Sequence, residues 1–181
     1  MAGWILAAGI ICFSACKDKS PLVIDLHECK VDFPDLKTGD FFKKSPPEWI
    51  KQFRADCKAF KHRDSGLKIV TSYTNVPETI DSLGRIKFVD LLSDTYFHPK
   101  IPIRQLAVNV EVDSNSFTGQ YYFHTIPDYP DHFGFHNLFQ LDSHLVEVLI
   151  IKEKKEAELQ DHWNWVNENK QLFSVTWPGV E

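Results

Sequence analysis

The stretch from Arg104 to Lys152 constrains the fold most, because its apolar residues recur at every second position. Leu106, Val108, Val110 and Val112 fall on one side of Arg104–Asp113. Phe117, Tyr121 and Phe123 fall on that same side of Phe117–Thr125 if Ser114-Asn115 makes a tight turn. A period of two is that of an extended strand, and two such runs around a short polar connection read as a β-hairpin. A second hairpin joins Phe133–Leu141 to His144–Lys152 through Asp142-Ser143. Here Phe133, Phe135, Phe139, Val146, Val148 and Ile150 share one face. Leu138, Leu145, Leu149 and Ile151 make the opposite face apolar too, so something must cover it. Two antiparallel hairpins in succession favour a meander sheet.

The flanking segments supply the rest. Val23–Val31 and Leu67–Tyr73 alternate like strands, as does Arg85–Leu92, while Phe33–Lys44, with Pro34 and Gly39, reads as a loop. Ser45-Pro46-Pro47-Glu48 has the form of a helix start, with a capping serine, a proline suited to the first turn and a glutamate three residues after the cap. Trp49, Ile50, Phe53, Cys57 and Phe60 then recur at helical spacing and predict a helix to about Lys61. Ala157, Leu159, Trp163 and Val166 predict a long C-terminal helix over Glu153–Asn169, placed to cover the second hairpin; Leu172–Trp177 adds a short strand. The fold expected is α+β: an antiparallel meander of about six strands with an N-terminal helix and a long C-terminal helix packed on it.

At 181 residues, with 43% hydrophobic and 25% charged residues, the chain has the length and core material of a single globular domain. Its net charge of −5 argues against a nucleic-acid partner, whose affinity is built on clustered Lys and Arg.

The N-terminus gives an address. Gly3–Ala15 carries no charge, its apolar run Trp4–Phe13 is too short to span a bilayer as a helix, and small residues lead to Cys16, after which the chain turns polar. Phe13-Ser14-Ala15-Cys16 resembles the lipobox of bacterial lipoproteins, with phenylalanine where leucine is usual, and no Lys or Arg precedes Trp4. The resemblance implies a signal peptide over 1–15, a lipid on Cys16, attachment to the outer membrane of the bacterial envelope, a tether over 16–22 and one domain over 23–181. Cys29 and Cys57 then form an even pair in an exported chain, where a disulfide is the expected state.

Sites are weakly marked. His124, His132 and His136 are the densest histidine group, but four strand residues separate His132 from His136 by about 13 Å, too far to share an ion. No metal, cofactor or catalytic residue is assigned, since the chain has neither a G-x-S-x-G elbow nor a Gly-rich phosphate loop. The polar face of the first hairpin, with Gln105, Asn109, Gln120, Tyr122 and His124, is the better candidate for recognition, and Gln105, Tyr122 and His124 are its expected binding residues. The function expected is a lipid-anchored, non-enzymatic envelope module of immunity or accessory type, with a protein partner. The alternatives are a carrier holding a small ligand or lipid between sheet and C-terminal helix, and an envelope hydrolase.

Overall fold

The computed structural model describes residues 18–47, 51, 56–75, 105–113, 116–123, 126, 129–154 and 159–177. Its strands are β1 (Pro21–Asp25), β2 (Lys30–Lys37), β3 (Phe41–Lys44), β4 (Asp56–His62), β5 (Lys68–Asn75), β6 (Gln105–Val112), β7 (Ser116–Phe123), β8 (His132–Leu141), β9 (His144–Glu153) and β10 (Ser174–Thr176). A 3-10 turn over Thr38–Asp40 links β2 to β3, and α1 spans Leu159–Glu168. Two antiparallel sheets result: a small one ordered β1-β2-β10 and a seven-stranded one ordered β3-β4-β5-β9-β8-β7-β6.

The chain is therefore predominantly β, and the α+β expectation is overturned at both ends. Near Ser45 the Lys51 N–H donates to the Pro47 carbonyl at 3.2 Å, and residues 48–50 and 52–55 of the expected helix lie outside the described residues. Asp56–His62, expected to be helical, is strand β4. Cys57 and Phe60, three apart, turn to opposite faces of that strand and pack against different apolar clusters, so their spacing imitated a helical stripe. At the other end β9 runs on to Glu153, and α1 covers ten residues rather than the expected long helix.

Phe33–Lys44 is also not a loop. Pro34 is accommodated within β2 because the register shifts there: Leu22 pairs with Phe33 and Pro21 with Lys37, so Pro34 sits in an irregularity, past the Lys30–Asp32 stretch that pairs with β10. The predicted strand Arg85–Leu92 lies outside the described residues. The second hairpin is as read, with Asp142 at φ 50° in its turn.

Both faces of the large sheet are buried. On the inner face Phe133, Phe135, Val146, Val148, Ile150, Ile69 and Tyr73 pack under the small sheet (Leu22, Ile24, Val31, Phe33) and under Val166 of α1. Phe173 bridges the two sheets, its ring 5.4 Å from Phe33 and 5.7 Å from Phe139. On the outer face Val70, Phe117, Tyr121, Phe123, Ile126, Leu138, Leu145, Leu149 and Ile151 form a second cluster. The helix thus covers the Phe133 face, not the Leu138 face assigned to it from sequence.

Several core polar groups are built in. Ser72 donates to Glu147 at 2.6 Å between β5 and β9, and both residues are 2% exposed. The Asn137 amide donates to the Val148 carbonyl at 3.4 Å.

Candidate functional site

The expected binding residues do not form one solvent face. Tyr122 is 3% exposed on β7 and lies beneath α1, its ring 6.0 Å from Trp163 and its hydroxyl 3.4 Å from His162 Nδ1. Burial pushes its phenol up to about 12. Gln120, next on that face, is buried and donates to Asn137 Oδ1 at 3.0 Å and to the Lys170 carbonyl at 3.3 Å. Gln105 stands on β6 opposite Phe123, and His124 lies outside the described residues. Gln120 and Tyr122 are covered because the C-terminal segment folds back over β7.

Cys29 and Cys57 are not disulfide-bonded. The expected bridge is corrected by topology: Cys29 belongs to the inner cluster, whereas Cys57 packs against the outer one. Burial, with Asp56 and Glu28 adding, pushes the Cys29 thiol up to about 12. His132 and His136 share the outer side of β8, and no cluster of three or more metal-ligating side chains exists among the described residues.

What sequence reasoning missed is a basic corner at one end of the outer face. Lys61 and Lys68 stand directly opposite each other on β4 and β5, and Lys44 stands opposite Ala59 on β3. The Lys68 ammonium donates to His132 Nε2 at 2.7 Å and lies 4.7 Å from the centre of the Tyr129 ring. Gly134 lies close by, as the β8 partner of Ile151, which is in turn opposite Lys68, and it makes room for Ile126, which an added Cβ would approach within 2.9 Å. Because a lysine ammonium has donors only, His132 Nε2 is the acceptor and the ring proton sits on Nδ1, a buried atom with no hydrogen-bond partner among the described residues.

Electrostatics follow the geometry. Burial lowers the Lys68 pKa and Lys61 lowers it further, while Glu153 opposes. Burial and then the Lys68 ammonium hold His132 below the usual histidine value, against Glu153 and Asp131. Beside this corner opens a cleft of about 250 Å³, lined by Lys44, Ser45, Pro47, Ala59, Phe60, Lys61, Lys68, Val70, Tyr129 and Ile151.

No family model matches the chain, and no curated protein does. The solution structure of cyanobacterial PsbP (CyanoP) from Synechocystis sp. PCC 6803 is similar over 96% of this chain and 98% of that one, with a TM-score of 0.50 at 11% identity. The Saccharomyces cerevisiae Ran-binding protein Mog1p is similar over 81% of this chain and 84% of that one, with a TM-score of 0.47 at 12% identity. At such identity the likeness to CyanoP concerns the fold alone.

The signal that could have found the basic corner was present but divided. Lys44, Lys61 and Lys68 occupy three separate segments of the sequence. They converge only through the pairing of β3 with β4 and β4 with β5, and β4 had been read as helix.

Proposed function

We propose that the protein is a binding module of the bacterial cell envelope, tied to its membrane by a lipid on Cys16. The lipobox-like Phe13-Ser14-Ala15-Cys16 carries this reading, and the fold begins soon after that cysteine. The Asp18 carbonyl accepts the Gly39 N–H at 2.8 Å, the Ser20 carbonyl accepts the Thr38 N–H at 2.9 Å, and β1 starts at Pro21 with Leu22 already in the core. Residues 18–22, expected to serve as tether, belong to the domain. Two extended residues reach ~7 Å. A lipid on Cys16 therefore holds the domain against the headgroups, as suits a protein that works at the membrane surface.

Binding, rather than bond-making, fits the state of four of its reactive side chains. Ser72 and Glu147 are hydrogen-bonded to each other inside the sheet, and the Cys29 thiol and the Tyr122 phenol are both raised to about 12. None of the four faces solvent. The space between sheet and helix, where a carrier would keep its cargo, is filled by Tyr122, Phe133, His162 and Val166. What stays open beside α1 is a groove of about 400 Å³ along Phe133, Lys152, Glu153, Asp161, His162 and Trp165. Its mixture of aromatic wall and charged rim is that of a protein-binding surface.

The anchor is tested by expressing the full chain in a Gram-negative host and measuring the mass of its N-terminal peptide. The expected product starts at Cys16, carries acyl chains and sediments with membranes, and Cys16→Ala abolishes both properties. An unmodified cytosolic chain starting at Met1 overturns the reading. The groove is tested by a photo-crosslinker at exposed Asn164, with one at Val23 as control; a discrete protein adduct confined to position 164 is expected.

A further inference from the structure

Three lysines on adjacent strands of one sheet face call for an explanation. Side chains directly opposite across an antiparallel pair lie about 5 Å apart, and like charges in that position destabilise the pair. Lys61 and Lys68 are in that position. Lys44 stands diagonally from Lys61 on the next strand, since Phe42 is the residue opposite Lys61. Among the described residues lining the adjoining cleft there is no carboxylate. The hydrogen-bond acceptor beside Lys68 is a neutral imidazole, not an acid. The remaining walls, Ala59, Val70, Ile151, Pro47 and the Tyr129 ring, are apolar. The cleft thus has a cationic end and a greasy body.

We propose that this cleft binds an amphiphilic anion, a phosphate or carboxylate headgroup on an apolar chain, with Lys44, Lys61 and Lys68 holding the headgroup. A volume of about 250 Å³ suits a headgroup with a short length of chain rather than a whole lipid. Bound charge relieves the Lys61–Lys68 repulsion, and Ser45 adds a hydroxyl at the mouth. Burial and Lys61 lower the Lys68 pKa and outweigh Glu153, which stands opposite His132 and does not line the cleft, so an anion bound there would face no acid among the described residues of the cleft wall. Arg63 extends the basic surface beside Lys44: the Gly39 carbonyl accepts from Arg63 Nε at 3.2 Å, and Arg63 and Lys44 both lie over the Phe42 ring. The inference rests on the binding-module reading and is independent of the lipid on Cys16.

The test is calorimetric titration of the full chain, as its host processes it, held in neutral phosphatidylcholine nanodiscs. Hexyl phosphate is expected to bind saturably and at least about 10-fold more tightly than inorganic phosphate, because methylenes are buried with it. Hexanol is expected not to saturate. The Lys61→Gln/Lys68→Gln pair is expected to raise the hexyl phosphate Kd by about 10-fold or more, from two lost charged contacts. Lys61→Gln alone, at a half-buried surface position, guards against a folding artefact and is expected to weaken binding by a smaller factor. Nanodiscs containing phosphatidylglycerol distinguish the source: competition with hexyl phosphate assigns the site to a membrane lipid, and its absence assigns it to a soluble anion. Binding that is undetectable, or equal in wild type and the double variant, overturns the proposal. A chain found without a lipid on Cys16 that still binds hexyl phosphate refutes the anchor alone.

Discussion

Phe133 is where the helix is fastened to the sheet, and its removal should release the helix. The residue is 2% exposed. Its ring stacks on His162 at 4.5 Å and 16°, meets Trp165 edge-on at 5.6 Å, and lies 6.0 Å from Tyr122. A ten-residue helix is too short to persist alone in water, so α1 depends on these contacts. Truncating a buried Phe to Ala costs about 3–5 kcal/mol, and each aromatic pair contributes ~0.5–1.5 kcal/mol beyond the area it buries. We expect Phe133→Ala to lose about 4 kcal/mol in urea unfolding, a fall in Tm of roughly 8–16 °C for a domain of this size. Phe133→Leu keeps most of the volume and loses the ring pairs, so a loss of about 1–2 kcal/mol is expected. The local readout is tryptophan fluorescence, because Trp163 and Trp165 both sit on α1. In Phe133→Ala it should shift to the red at urea concentrations where far-ultraviolet dichroism still reports the sheet. Val23→Ala, at a site 43% exposed, is the control and should stay within about 0.5 kcal/mol. A loss below about 1 kcal/mol in Phe133→Ala, or equal losses in the Ala and Leu variants, refutes the account.

Three further outcomes follow from the same structure. His132 is held below its unfolded pKa by burial and Lys68, with Lys154 adding and Glu153 and Asp131 opposing; the unfolded state therefore takes up the proton first, and stability should fall as pH drops through about 6.5 toward the lower folded value, a slope that thermal melts should find reduced in His132→Gln. Cys29, raised to about 12 and 2% exposed, should resist iodoacetamide at pH 8 in the native protein, and alkylation in denaturant without reductant should recover Cys29 and Cys57 as two separately modified peptides, a result that a recovered disulfide-linked pair would contradict. A Cβ at Gly119 would sit 2.7 Å from Tyr121 Cε2 and 2.8 Å from Phe117 Cε1, rings that fold over the glycine from either side, so Gly119→Ala should cost about 1–3 kcal/mol in urea unfolding.

What could be read from the sequence divides on whether a strand carries its own local mark, a turn or a clean alternation. β7 was found from its alternation, and β8 and β9 because Asp142-Ser143 marks their turn and aromatic and β-branched residues fill them, even though β8 and β9 are buried on both faces. β4, mostly half-buried, carries no such turn mark and was lost. With Phe60 turned to the inner cluster and Cys57 to the outer, apolar residues three apart satisfied both faces of one strand and imitated a helix behind a genuine capping sequence. β2 was lost because Pro34 normally argues against a strand, and only the register shift opposite Pro21 makes room for it. The fate of Tyr122 follows from longer range still. Nothing within the hairpin distinguishes a tyrosine that will meet water from one that will meet a helix arriving forty residues later. Gln120 and Tyr122 were correctly placed on one face and wrongly left wet, because burial of that face is decided by His162, Trp163 and the Lys170 carbonyl. The lysine corner carries the same lesson with the opposite sign. Each lysine alone is an ordinary surface charge, and it is the pairing of β4 with its two neighbours that turns three of them into one field. A misread strand therefore concealed a site as well as an element, and the cationic cleft stands or falls with the register Lys61 opposite Lys68.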